Sequence, residues 1–264
     1  MKVFIRYLTF FVLFIVFGFE ISEAGTARKR FRKTYRFKSG SELILENTNG
    51  SIDIDTWNKN EALVEAEIRV KAKSRREAED FLELVEILVE KSRYGLEIRS
   101  YYPKRFRRHS IFDFFRKPSV IINYVIRIPE NADLSIETTN GSIYISRVEG
   151  KIEARSTNGK INLKRVRGSV KAHTTNGSIE AELIEVQENE DMEFSTTNGG
   201  IKVYFPGDLK ADLYARTTNG SIYTDFPVRI RGRWNRRKLQ GRINGGGAYI
   251  ELRTTNGSIK ILEI

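Results

Sequence analysis

The 264-residue chain has room for one large domain, and 40% hydrophobic residues with only five prolines give it enough apolar surface for a packed core, which excludes global disorder. It contains no cysteine, which excludes disulfides, thiolate catalysis, cysteine-bound zinc and cysteine lipidation. Its formal net charge of +11 points to acidic partners and gathers in "RKRFRK" at 28–33, "KRFRRH" at 104–109 and "RIRGRWNRRK" at 229–238.

The first predicted element is an export signal. Lys2 and Arg6 precede the apolar run Leu8–Phe19, and Ser22-Glu23-Ala24 places small residues where signal peptidase reads, so cleavage is expected after Ala24. The competing expectation is a retained membrane anchor, because the basic residues from Arg28 to Lys33 follow at once and resist translocation. With residues 1–24 removed, 25–264 reads as one domain, exported to the periplasm, the cell surface or the medium.

Next comes "NTNGSIDI" from Asn47, the first of seven near-copies. Their Asn-Gly pairs begin at Asn49, Asn140, Asn158, Asn176, Asn198, Asn219 and Asn256, with gaps of 91, 18, 18, 22, 21 and 37. A period near 20 marks a stacked repeat. Three residues after each Asn stands Ile: Ile52, Ile143, Ile161, Ile179, Ile201, Ile222 and Ile259. Positions four and six before each Asn are also apolar, as in Leu134 with Ile136 and Met192 with Phe194. Spacing of two is strand spacing with one face buried. Each unit is therefore strand, Thr-Asn-Gly corner, strand, since Asn and Gly tolerate the backbone of a sharp corner. A second corner follows Val148, Val166 or Ile184, near Gly150 and Gly168.

Asn-Gly between alternating apolar residues is also a hairpin signal. A meander, however, would not return at 18-residue intervals, whereas a coil stacks equivalent residues about 4.8 Å apart. The expected fold is all-β: a β-solenoid resembling a parallel β-helix, right-handed by the usual crossover rule. Thr139, Thr157 and Thr175 should form one ladder, and Asn140, Asn158 and Asn176 another.

Between Asn49 and Asn140 lies a long insertion. Residues 61–71 alternate as a strand. Ser74 caps a predicted amphipathic helix running to about Lys91, with Ala78, Phe81, Leu82, Val85, Leu88 and Val89 at helical spacing, to cover one side or end of the core. Strands follow at 93–101 and 119–128, separated by the basic, aromatic segment "YPKRFRRHSIFDFFRKP". Arginine beside aromatic rings suits polyanion or membrane-interface contact, and Arg105, Arg107, Arg108 and Phe114 are its candidate residues. The 37-residue gap supplies the others: Arg231, Arg233, Trp234, Arg236 and Arg237. "NGGGA" at 244–248 reads as a tight corner, since no Gly-Lys-Ser element follows.

Catalysis needs converging groups. Asp53, Asp55, Glu153, Glu180 and Glu182 fall on outward positions, the histidines are only His109 and His173, and Ser51, Ser142, Ser178, Ser221 and Ser258 follow corner glycines. No catalytic, cofactor or metal site is expected.

The string T-T-N-G-S-I-x-[IVL], repeated behind a signal segment, resembles a bacterial family of putative adhesins of unknown function that carries Thr-x-Asn-Gly-x-Ile strand repeats and is similar to the head domains of autotransporter-type adhesins. The resemblance spans roughly Leu43 to the C-terminus, including the stretch "YVIRIPENADLSIETTNG". It implies a β-solenoid and an exported, structural or adhesive role in the cell envelope, and it carries over no catalytic or metal residues. The expected partner is an anionic envelope component (lipid, lipopolysaccharide or acidic glycan) or another envelope protein, rather than a specific nucleic acid. The alternative is a regulatory or binding module held on anionic membrane by its basic loops, with a glycan-processing enzyme third. Self-association is expected if the last rung, ending at Ile264, leaves an open edge.

Overall fold

The computed structural model describes residues 25–102, 118–188, 190–230 and 235–264. The predicted signal segment lies outside the described residues. In chain order the elements are β1 (Thr26–Arg36), β2 (Ser41–Asn49), β3 (Ile52–Trp57), β4 (Glu61–Lys71), α1 (Arg75–Leu82), β5 (Glu86–Lys91), β6 (Gly95–Tyr101) and β7 (Ser119–Pro129). Then come β8 (Ala132–Asn140), β9 (Ile143–Ser146), β10 (Ile152–Asn158), β11 (Ile161–Arg167), β12 (Val170–Asn176), β13 (Ile179–Glu185), β14 (Met192–Asn198) and β15 (Ile201–Phe205). The chain finishes with β16 (Ala211–Asn219), β17 (Ile222–Thr224), β18 (Val228–Ile230), β19 (Lys238–Ile243), β20 (Ala248–Asn256) and β21 (Ile259–Glu263).

Each corner hands the chain from one sheet to the other, so every rung gives one strand to each. One sheet runs β1-β4-β7-β3-β9-β11-β13-β15-β21-β17 and the other β18-β19-β16-β20-β14-β12-β10-β8-β2-β6-β5. Within the repeat the pairing is parallel and in register: Asn158 faces Asn140 on one side and Asn176 on the other. This is the β-solenoid read from the 18-residue period. Its interior is a slab of Ile, Leu, Val and Ala, with Phe194 and Phe205 added, all at most 2% exposed across the central rungs. Burial of this slab is the main stabilising term, at about 25 cal/mol per Å² of apolar surface removed from water.

The identity of the corner residues now has a cause. A Cβ on Gly159 would fall on the carbonyl oxygen of Gly141 in the neighbouring rung, and the same clash meets a side chain at Gly141, Gly177, Gly199, Gly257 and Gly220. Only glycine lets the rungs close to strand-pairing distance. The residue two before Asn is buried, and its hydroxyl donates to the neighbouring glycine carbonyl: Ser156 to Gly141, Thr174 to Gly159 and Thr196 to Gly177, each at 2.9 Å. Each Asn amide donates to the Asn of the adjacent rung, at 2.7–2.8 Å, from Asn140 to Asn49 and onward to Asn256 and Asn219. The predicted Asn ladder is therefore present. The predicted Thr ladder is not a bonded one. Thr139 and Thr157 are exposed and Thr175 is half-buried, and the hydroxyl bonds come from the residue before them.

Four further expectations are corrected. First, the helix stops at Leu82. Its Ser74 cap accepts from the Glu77 N–H as expected, but residues 86–91 form β5, antiparallel to β6. Ile87 and Val89 turn toward the core while Leu88 is 42% exposed, a period of two that the preceding helical spacing had masked. Second, Ile184 is not the inward residue of its corner. Arg147 and Arg165 take positive φ (59° and 54°), which slips Val148 and Val166 inward. Without such a residue, β13 alternates straight through and buries Leu183 opposite Val166. Third, the last rung in sequence is not last in space. β20 and β21 insert between the rungs of Asn198 and Asn219. Fourth, the terminal edge expected at the strand ending near Ile264 falls elsewhere, because β21 is an interior strand and β17 is the edge of its sheet. The end rung is instead β16 and β17, and the antiparallel pair β18 and β19 covers β16.

At the opposite end, β6 pairs with β2 and β7 with β3, both in parallel, which makes them a rung without an Asn-Gly corner. Here Asn47 replaces the buried Thr. Its amide donates to the Ile122 carbonyl at 2.9 Å, and its Oδ1 accepts from Ser100 and Tyr102 at 2.9 and 2.8 Å. Tyr124 OH lies 2.8 Å from Ser100, and burial holds that phenol above the usual tyrosine range. Thr138, which faces Asn47 in register, keeps a buried hydroxyl with no partner.

Candidate functional site

Three residues of the T-T-N-G corner are consumed in stacking. The fourth is not. Thr48, Thr139, Thr157, Thr197, Thr255 and Thr218 are exposed, Thr175 is half-buried, and none of the seven hydroxyls makes a hydrogen bond. Beside them run the exposed Asn amides, each with one N–H and one lone pair left over from the ladder. The seven rungs give six intervals of about 4.8 Å, so this strip of hydroxyls and amides is about 29 Å long.

Both predicted basic excursions attach at the ends of this strip. The segment 103–117 lies between β6 and β7 in the chain and outside the described residues. It leaves the described structure at Tyr102, whose hydroxyl donates to Asn47. At the far end, the Arg237 carbonyl accepts from Thr217 N–H and the Arg236 carbonyl from Ile222 N–H, both at 3.0 Å, so these arginines cross the final corner with exposed side chains. Of the residues named from the sequence, Arg236 and Arg237 are thus placed at the strip. Arg105, Arg107, Arg108, Phe114, Arg231, Arg233 and Trp234 lie outside the described residues.

A third basic feature was visible only as a charge run. Residues 28–33 belong to β1, an edge strand that places Arg28, Arg30 and Arg32 on the outer face opposite Arg69, Glu67 and Glu65. Arg32 pairs with Glu65 at 3.3 Å and Arg28 with Glu67 at 4.0 Å, exposed arginines on half-buried carboxylates. The same charges discourage edge-to-edge association. On the inner side, Lys33 and Lys91 lie over the Tyr35 ring at 5.6 and 4.8 Å, and burial pushes that phenol up to about 12.

The acidic residues do not converge. Asp53 and Asp55 sit on the outer face of β3, where burial and then the Asp55 charge raise the Asp53 carboxyl. Glu180 pairs with Lys202 at 3.5 Å on the same sheet, and Glu153 with Arg155 on the other. His173 does meet a hydroxyl: its Nδ1 lies 2.8 Å from Ser195 Oγ, a cross-strand contact that sequence spacing did not reveal. The pair is on an exposed sheet face, with Arg155 and Arg253 as its row neighbours and no carboxylate orienting the imidazole. The corner serines act as turn residues, as where Lys160 N–H donates to Ser142 at 3.2 Å. Asn244, Gly245 and Gly246 all take positive φ in a tight turn. Among the described residues no cluster of His, Cys, Asp or Glu is arranged to hold a metal ion, and no helix is long and apolar enough to cross a membrane.

The repeated corners of the β-solenoid thus build one continuous polar strip along the stack of rungs. The family model Toastrack DUF4097 matches residues 104–262, more than half of the chain, and the chain belongs to that family. Among solved structures, a putative cell adhesion protein from Clostridium sporogenes aligns at 13% identity and a TM-score of 0.47, covering 89% of this chain and 100% of that one. A putative adhesin from Bacteroides fragilis aligns at 14% identity and a TM-score of 0.42, covering 89% of this chain and 97% of that one. No curated protein matches.

Proposed function

We propose that this protein is an exported, non-catalytic surface protein of the cell envelope that adheres through its corner strip to an extended, acidic, hydroxyl-rich polymer, an envelope or matrix glycan. The observation that carries this reading is the row of threonines from Thr48 to Thr218, the one repeated corner residue without a stacking role. A row of hydroxyls and amides at constant spacing presents the same donor–acceptor pattern again and again, which suits a polymer better than a small molecule. Arg236 and Arg237 at one end, and the basic segment 103–117 joined at the other, supply attraction for acidic groups.

The test is binding of the full-length exported protein to acidic and neutral polysaccharides. The triple substitution Thr157→Glu, Thr175→Glu and Thr197→Glu should abolish binding to the acidic polymers while leaving the folded spectrum intact. Unchanged binding would remove the strip from the reading. A second reading rests on β1: its outward Arg28, Arg30 and Arg32 fit an anionic lipid surface. Salt-sensitive binding to anionic vesicles, lost in Arg30→Glu/Arg32→Glu but not in the threonine variant, would favour it.

A further inference from the structure

Asn-Gly is chemically the least protected dipeptide in a protein, because an unhindered glycine nitrogen can attack the preceding side-chain amide. This chain stacks seven such pairs in nearly identical sequence surroundings. What differs between them is the fate of the glycine N–H. In six rungs it donates to the Asn carbonyl of the next rung: Gly50 to Asn140, Gly141 to Asn158, Gly159 to Asn176, Gly177 to Asn198, Gly199 to Asn256 and Gly257 to Asn219, at 2.9–3.1 Å. All six bonds run in one direction along the solenoid, toward the Asn219 rung. The Asn219 corner is the end of that series, and Gly220 N–H has no acceptor among the described residues.

Two further observations mark the same corner as loose. Asn219 Oδ1 is the terminal acceptor of the amide ladder and receives no donor from a following rung. Ile222 is half-buried, whereas the isoleucines at the equivalent position of the other six rungs are at most 1% exposed. The segment at Arg236 and Arg237 bonds this corner at Thr217 and Ile222, and the Asn256 rung on its other side holds Asn219 and Ser221, so it is the Gly220 N–H that the corner leaves over.

From this asymmetry we infer that Asn219–Gly220 is a site of spontaneous deamidation, the one ladder pair that converts while the protein remains folded. The reaction balances without any oxidant or partner. Gly220 N loses its proton to base and bonds to Asn219 Cγ, the Cγ–Nδ2 bond breaks, and Nδ2 leaves as ammonia. Water then opens the resulting succinimide at either carbonyl, giving aspartate or isoaspartate. In the other six rungs the glycine nitrogen is held in a hydrogen bond, and at Asn140, Asn158, Asn176, Asn198 and Asn256 the side-chain amide is also bonded on both sides, so a rung must open before attack. The product places a carboxylate against Asn256 Oδ1, acceptor against acceptor, and removes the donor that closed the ladder. The end rung then loosens with age. This inference stands apart from the adhesive reading and does not depend on it.

The experiment is peptide mapping of the full-length protein after incubation in mildly alkaline buffer, with isoaspartate scored at every Asn-Gly pair. The peptide running from Thr217 to Arg229 isolates Asn219 from the other pairs. Asn244–Gly245, in the turn before β20, is a separate open pair whose side chain is tied to the Leu209 carbonyl at 2.9 Å, and it reports the rate for a turn. The expected result is conversion at Asn219 at least about tenfold faster than at Asn256 or Asn158, equivalent to about 1.4 kcal/mol less opening free energy. In guanidinium chloride the seven ladder pairs should converge to similar rates, which shows that the difference comes from the fold. Equal rates at Asn219 and Asn256 in the folded protein would overturn the inference, as would persistence of the difference after unfolding.

Discussion

The buried hydroxyl row offers a test in which one substitution has opposite signs at two positions. Thr174 is fully buried and its hydroxyl donates to the Gly159 carbonyl at 2.9 Å. Thr174→Val keeps the shape but leaves that carbonyl without its donor, which costs about 1–3 kcal/mol, partly offset by the added methyl burial. A net loss of about 1 kcal/mol is expected. Thr138 is equally buried at 1%, yet its hydroxyl has no partner, because Asn47 occupies the facing position and its own amide reaches Gly50 O at 3.4 Å. Thr138→Val removes an unsatisfied polar group and should stabilise the protein by about 1 kcal/mol. For a chain of this size the two variants should move the melting temperature in opposite directions by about 2–4 °C each. Thermal and urea denaturation of both variants beside the parent measure this. Equal shifts in the same direction would refute the corner mechanism, since both changes are chemically identical.

Other outcomes follow from the same geometry. Gly159→Ala should destabilise by at least about 2–3 kcal/mol, since its Cβ meets the Gly141 carbonyl, and urea midpoints will show it. Gly245→Ala has nothing within 4 Å and costs only the strain of φ +96°, about 1–2 kcal/mol. The buried tyrosines Tyr35 and Tyr124 should stay protonated after exposed ones without an acidic neighbour ionise, whereas exposed Tyr223 is raised by its bond to Asp225. Because their folded pKa values lie above the unfolded value near 10, the stability they contribute is intact below pH 10 and falls as pH rises toward 12 and beyond. Phenolate absorbance and denaturation midpoints across that range check it; a simultaneous titration of all tyrosines in the folded protein would contradict it.

The repeat was legible because stacking imposes it residue by residue. Glycine at Gly159, a buried hydroxyl at Thr174 and an amide at Asn176 each answer a contact to the next rung, so their recurrence reports the fold directly. What the spacing could not report was spatial order. The 37 residues between Asn219 and Asn256 hold β18 and β19, and nothing local says that the chain steps back to insert β20 and β21 inside the stack. The run at β5 misled because Leu82, Val85 and Leu88 fit helical spacing while belonging to a helix end, a connector and a strand. Strand β1 was illegible as a strand because Ala27, Phe31 and Tyr35 are its only apolar inward residues, with lysines between them. At the candidate site, the threonine row was visible, but its freedom from hydrogen bonds was not. The meeting of His173 with Ser195 depended on register across two strands, which no single stretch of sequence specifies.

The central claim is that rungs superpose in the order Asn198, Asn256, Asn219, against the order of the chain. Because the protein contains no cysteine, paired cysteine substitutions on the exposed row read that order directly. Residues one rung apart are about 4.8 Å from each other and two rungs apart about 9.6 Å, while a disulfide needs Cα atoms within about 7 Å. Thr197→Cys with Thr255→Cys should therefore close an intramolecular disulfide on mild oxidation, and Thr197→Cys with Thr218→Cys should not. Efficient closure of the second pair with none of the first would contradict the account.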